Sequence, residues 1–384
     1  MAYHRARESR ADRGLVFALL AIAAAVPTAR CATVATYDGQ TATGETQTFQ
    51  ATSVSLGGTK IALADCDWIE PGGHASAAAT RAAIWITLGD GGCLPATRIE
   101  AADIPDAIAV EGPLGPLVIP LSAVAGWGDA GPAETGRPQD RVTLESGALS
   151  GSVLGIADGM LRFKSQLDPK PLDLPVAKIQ ALRLATPIRA PKGVVLSVTL
   201  DPDHAPLLVL PKDGLPLAAA PTLAVGKALG GQRLRVEGGR RVYLGSLKLS
   251  ATDEAGAFGV VWKHRIDADL DGGPLALGGV HFPHGLTVHS KARLAWDLGG
   301  AYERLHALAG ISDLVAPEGD CQVALLADGK PLWMRDSVKG SDKPITLDLD
   351  VSGVKTLELQ VEYGARYDIG DHVTLADAWL LKTR

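Results

Sequence analysis

The stretch Gly278–Leu305, GGVHFPHGLTVHSKARLAWDLGGAYERL, constrains the fold more than any other part of the chain. Leu294, Trp296 and Leu298 recur with a period of two, which places all three on one face of a β-strand. A helical period of 3.6 would scatter them around the axis. A loop rich in Gly and His leads into this strand, and Gly299-Gly300 turns the chain into a second alternating run. Trp296 is therefore expected in a core between two packed sheets.

The rest of the chain agrees with this β reading. Its 384 residues suffice for two or more domains, and 46% apolar content supplies their cores. The 44 Gly and 24 Pro follow no period, which in so apolar a chain signals many short strands joined by turns. Net charge is −6, aromatic content is 5%, and no run interleaves Lys or Arg with aromatics, so nucleic acid is not an expected partner. Arg5, Arg7, Arg10 and Arg13 precede an apolar run from Leu15 to Val26, too short for a stable membrane span, and small residues follow. Residues 1–32 are read as a signal peptide, and the mature chain as secreted, periplasmic or held in the cell envelope. Arg30 stands where lipoprotein processing at Cys31 would need a small residue. An exported chain can form disulfides, and Cys66 and Cys93 are the natural pair; Cys321, in a strand-like run, reads as a small buried hydrophobe.

An internal repeat covers roughly residues 35–185. Its closing phrase occurs as Leu117-x-Ile119-Pro120-x-x-x-Val124-x-x-Trp127, as Leu172-x-Leu174-Pro175-x-x-x-Ile179-x-x-Leu182, and in degraded form as Ile61-x-Leu63-Ala64-x-x-x-Trp68. The 55 residues from Pro120 to Pro175 suit a small, strongly bent sheet of about five strands, loosely like Sm-like or SH3-like barrels. Three such units are expected, at 33–75, 82–130 and 140–186. They could dock an envelope protein or act as a spacer, and no polar constellation recurs to favour docking. Thr186–Lys192 reads as a linker, and residues 187–240 as a β segment of uncertain affiliation.

Residues 241–384 read as nearly all β, with strands expected near Val242–Leu249, Leu286–His289, Arg293–Leu298, Leu305–Ile311, Gln322–Ala327, Ile345–Asp350, Val354–Val361 and Val373–Leu381. Asp328-Gly329 marks a hairpin turn. This domain resembles the NPCBM family of carbohydrate-binding modules. The opening stretch, Gly310-Ile311-Ser312-Asp313, the Asp328-Gly329 hairpin and Asp371-His372 followed by Ala376-Asp377-Ala378 carry the resemblance. It implies a galactose-binding-like β-sandwich of jelly-roll type and a carbohydrate ligand. Leu314, Leu375 and Trp379 depart from the family pattern.

Sugar recognition needs a flat apolar face for pyranose C–H groups and planar polar groups for hydroxyls. Trp262, His264 and Arg265 in one loop, and Tyr367, Asp371 and His372 in another, supply both. The two loops can converge at one end of a sandwich. Asp267-x-Asp269-x-Asp271-Gly272 has the spacing that opens a calcium loop, but the twelfth position of the helical calcium-binding loop is Gly278 instead of Glu, so any calcium held there would be structural. His281, His284 and His289 would need a further ligand to hold zinc. No nucleophile elbow, His-Glu-x-x-His or phosphate loop is present, and the expectation is no enzyme, although carboxylates for a glycosidase pair are plentiful. The chain thus reads as all-β: small barrel-like repeats followed by a sandwich that binds carbohydrate. The alternative is a structural or protein-interaction component of the envelope.

Overall fold

A computed structural model describes residues 31–384 except 45–46, 51, 73–83, 129–138, 167, 169, 186–187, 190, 192, 202–203, 210–228, 230–231 and 257–258. The signal-peptide reading thus falls outside the described residues, save Cys31 and Ala32. The chain is all-β, its only helical pieces among the described residues being four 3₁₀ turns.

Each copy of the closing phrase forms a strand, a 3₁₀ turn and a second strand. Leu117–Pro120 enters the turn Leu121–Ala123 and leaves as Val124–Gly128. Leu172–Pro175 does the same through Val176–Lys178 into Ala181–Arg183. Pro120 and Pro175 both stand at the N-cap, where a fixed φ and the lack of an N–H cost nothing. In the earliest copy the phrase is corrected by two residues: Ala62, not Ala64, holds that position, and the 3₁₀ turn Leu63–Asp65 leads into Cys66–Glu70.

The last strand of each unit returns to the first. Ala32–Thr36 pairs with Cys66–Glu70, Ile84–Leu88 with Val124–Gly128, and Asp140–Leu144 with Ala181–Arg183. These last strands then present an edge, and edges pair. Val124–Gly128 joins Ala181–Arg183, merging two units into an eight-stranded sheet. The approach is so close that a Cβ on Gly126 would stand 2.3 Å from the Leu182 carbonyl oxygen. Cys66–Glu70 joins Leu234–Glu237, which pairs with Val195–Val198, so the uncertain segment completes a six-stranded sheet. One continuous core serves all of this, with Trp127, Phe163, Ile86 and Leu196 fully buried.

The C-terminal sandwich has its own core, centred on Trp296, Leu305, Leu325, Leu359 and Leu375. One sheet orders Arg265–Ile266, Gly285–His289, His372–Lys382, Tyr302–Ile311 and Ile345–Asp350; Arg241–Tyr243 also pairs with the long central strand. The facing sheet orders Leu249–Glu254, Ala292–Asp297, Thr356–Tyr363, Asp320–Ala327 and Lys330–Lys339. Asp328 and Gly329 both have positive φ, as the two-residue hairpin requires.

All residues from His372 to Leu381 are buried. Val373, Leu375, Ala378 and Leu380 face the sandwich core, whereas Trp379 and Leu381 pack against Tyr37 of the first repeat unit. The repeats therefore abut the sandwich. Arg240 reaches Asp65 and Glu303, Arg241 meets Asp67, and Arg235 forks onto Asp377.

The expected Cys66–Cys93 disulfide is corrected: both thiols are free. Cys66 is buried beneath the first unit and donates to the Ala62 carbonyl at 3.2 Å, while Cys93 lies in the other large sheet. Burial pushes the Cys66 thiol up to about 12, so it stays protonated and unreactive. Cys321 is fully buried in the sandwich core, as its strand-like surroundings suggest.

Candidate functional site

His289 ends one strand and His372 begins its antiparallel neighbour, and the register sets them directly opposite. Their rings lie 5.3 Å apart, edge to face. The loop that precedes Arg265–Ile266 places Trp262 over this pair, its indole 5.7 Å from His289 and 5.9 Å from His372. Trp262 remains 40% exposed while both imidazoles are buried. A flat apolar ring at the surface thus stands beside two planar polar rings below it.

The surroundings fix this cluster. Asp371 has no exposed surface: one carboxylate oxygen accepts from the Ser290 hydroxyl at 2.7 Å and the other from the Asp320 N–H at 3.0 Å. His289 Nδ1 meets the Ser290 carbonyl, and the Ser312 N–H donates to the His372 carbonyl at 2.8 Å. Burial raises the Asp371 carboxyl above its usual range, more strongly than the Ser290 and Asp320 hydrogen bonds and the neighbouring His289 lower it. Asp371 thereby braces three loops below the surface, with both carboxylate oxygens engaged inside the chain.

His372 is the unusual member. Its Nδ1 is buried and has no hydrogen-bond partner among the described residues. Burial, and then the neighbouring His289, hold its pKa below the ordinary value; the charges of Asp271 and Asp269 act weakly in the other direction. The imidazole is therefore neutral near pH 7, with one ring nitrogen that donates and one that accepts. An unpaired polar atom in such a place is costly unless something binds there.

His264 anchors the Trp262 loop from the other end. Its N–H and its Nδ1 both meet the Glu254 carboxylate, the latter at 2.9 Å, and Lys263 approaches the same group at 3.5 Å. Burial works to raise Glu254, but these His264 contacts and the Lys263 charge outweigh it and hold the carboxyl below its usual range. Arg265 is turned away from the cluster, donating from Nε to the Leu270 carbonyl at 2.7 Å.

The three aspartates are spread along the loop that Arg265 holds. Asp267 accepts from the Gly285 N–H at 2.9 Å and Asp269 from the Gly273 N–H at 2.7 Å, while Asp271 is exposed. Among the described residues no three His, Cys, Asp or Glu side chains converge as metal ligands. This applies equally to His281, His284 and His289: His284 packs against Tyr243 with tilted rings 3.9 Å apart, whereas His289 belongs to the Trp262 cluster. Tyr367 is 70% exposed, on the loop that leads into Asp371 and His372.

The structure thus brings Trp262 and His372 together, makes His264 and Asp371 their supports, and adds His289. Sequence reading treats His289 as a structural residue because the cross-strand register that aims it at His372 is invisible until the two strands are paired.

The candidate site is thus a partly exposed tryptophan above one buried, unpartnered imidazole nitrogen, at the ends of neighbouring strands of a two-sheet sandwich. Residues 240–381 match the family model of the NPCBM/NEW2 domain, and the C-terminal sandwich is a domain of that family. Over 94 residues the chain is 32% identical to a Renibacterium salmoninarum protein named "Putative endo-alpha-N-acetylgalactosaminidase"; the match spans 24% of this chain and 6% of that protein. Among solved structures, the chain is similar to CBM51 from the Clostridium perfringens GH95 protein in complex with methyl-galactose, at 20% identity, TM-score 0.33, over 36% of this chain and 99% of that one. It is also similar to CBM51-2 with GlcNAc and INT domains of Clostridium perfringens ZmpB, at 21% identity, TM-score 0.34, over 37% and 31%.

Proposed function

We propose that this chain is an exported, non-catalytic carbohydrate-binding protein whose sandwich recognises a sugar through Trp262, His372 and His289. The NPCBM/NEW2 match supports a carbohydrate ligand. The observation that carries the site is the buried Nδ1 of His372, without a partner inside the chain, beneath the half-open indole of Trp262. A pyranose packed on the indole covers its apolar face, and a hydroxyl satisfies the imidazole. Tyr367 stands on the adjoining loop, where a longer glycan would extend. The basic and apolar runs before Val26 support export. The role of Asp371 as an internal brace supports binding without catalysis.

The test is a glycan-array screen of the mature full chain. Wild type is expected to select a restricted set of glycans, and Trp262→Ala to lose them with its melting temperature within about 2 °C of wild type, as for a partly exposed side chain. Unchanged binding by Trp262→Ala would place the site elsewhere.

A further inference from the structure

A cavity of about 500 Å³, separate from the Trp262 cluster, lies where the repeat array meets the sandwich. Its volume is in the range of sites that hold small ligands. Trp68, Arg233 and Glu237 belong to its repeat-side wall, and Phe282, Pro283 and His284 to its sandwich-side wall. On the sandwich side the His284 ring packs against Tyr243, tilted by 32° with ring centres 3.9 Å apart.

The acidic groups in and around this cavity are already engaged. Asp67 pairs with Arg241, and Asp377 takes both ends of the Arg235 guanidinium at 2.5 and 2.8 Å. Glu237 accepts from the Ser197 hydroxyl at 2.9 Å and the Tyr243 hydroxyl at 3.0 Å. Arg233 differs from these. Its guanidinium lies 4.2 Å from the centre of the Trp68 ring, and it forms no ion pair with any described residue. A guanidinium stacked on an indole keeps its edge donors in a fixed fork, the arrangement that recognises a planar carboxylate. Phe282 and Trp68 offer apolar faces alongside, and the His284 imidazole offers a polar group for a hydroxyl.

We propose that this cavity is a second binding site, distinct from the Trp262 cluster, and that it takes a saccharide bearing a carboxylate. The acid pairs with Arg233 and the sugar ring lies between the two walls. The site exists only while the repeats and the sandwich are in contact, which gives the repeat array a part in ligand selection.

Calorimetric titration of the full chain at low salt with trigalacturonic acid, and with its methyl ester, tests this. The ester keeps the shape and removes the charge. The acid is expected to bind at least tenfold more tightly than the ester, and to weaken as salt is raised. Arg233→Gln is expected to lose at least tenfold in acid affinity with an unchanged melt, because Arg233 is exposed. Arg233→Lys, which keeps the charge and loses the fork, should fall between the two. Trp262→Ala is expected to bind the acid as wild type does, so this site and the Trp262 site fail independently. The proposal is overturned if the acid does not bind, if acid and ester bind alike, if Arg233→Gln matches wild type, or if Trp262→Ala abolishes the binding.

Discussion

At His372 burial and charge compete, and burial wins. The folded-state pKa lies below the ordinary 6.5, and His306, stacked on Trp379, is shifted the same way, again chiefly by desolvation. Well above pH 6.5 both imidazoles are neutral in folded and unfolded chains alike, and their shifts leave stability unchanged. As pH falls below 6.5 the unfolded chain takes up protons first, so stability declines until pH has passed below the folded values. Melting curves between pH 7.5 and 5 are expected to show this decline, and His372→Gln should flatten part of it; a wild-type melt that rises over this window would contradict the assignment. Trp296 was legible without any structure, since alternation with Leu294 and Leu298 placed it in the core, where it is 1% exposed. Trp262 was singled out for the opposite reason, a lack of alternation, and it is the half-open ring of the proposed site.

At the scale of elements, strands with one buried face announce themselves and edge strands do not. All eight strand regions expected in the sandwich contain strand, whereas Lys330–Lys339 was overlooked. That strand lies at the edge of its sheet, carries Pro331, and is exposed at most positions, so its alternation is faint. The site lies where elements meet, and such junctions are not local in sequence. Asp371 joins Ser290 and Asp320, residues 81 and 51 positions away. Asp371→Ala is expected to free the Ser290 hydroxyl and the Asp320 N–H, costing about 2–3 kcal/mol in chemical denaturation and weakening glycan binding through the displaced imidazoles. A cost under about 0.5 kcal/mol, the level of an ordinary surface substitution, would mean the brace is unimportant.

For the whole molecule, the repeats pack against the sandwich. Arg241 sits between the rings of Tyr37 and Trp379, at 5.4 and 4.9 Å, and its side chain is 1% exposed beside Asp67. No periodicity could reveal this, because the Arg241–Asp67 and Arg235–Asp377 contacts span 174 and 142 residues. Arg241→Ala is expected to cost about 2–3 kcal/mol, less than for a wholly buried pair because Asp67 is a third exposed. Limited proteolysis should then release the sandwich intact, since its core is separate; an unchanged cleavage pattern would contradict the packed arrangement. The central claim, that the sandwich holds a sugar at the Trp262–His372–His289 cluster, is tested most directly by a crystal structure of the full chain with the best glycan from the array. A pyranose face against the Trp262 indole, with a hydroxyl hydrogen-bonded to the His372 imidazole, is the predicted result. A glycan bound in the crystal with both residues untouched would contradict it.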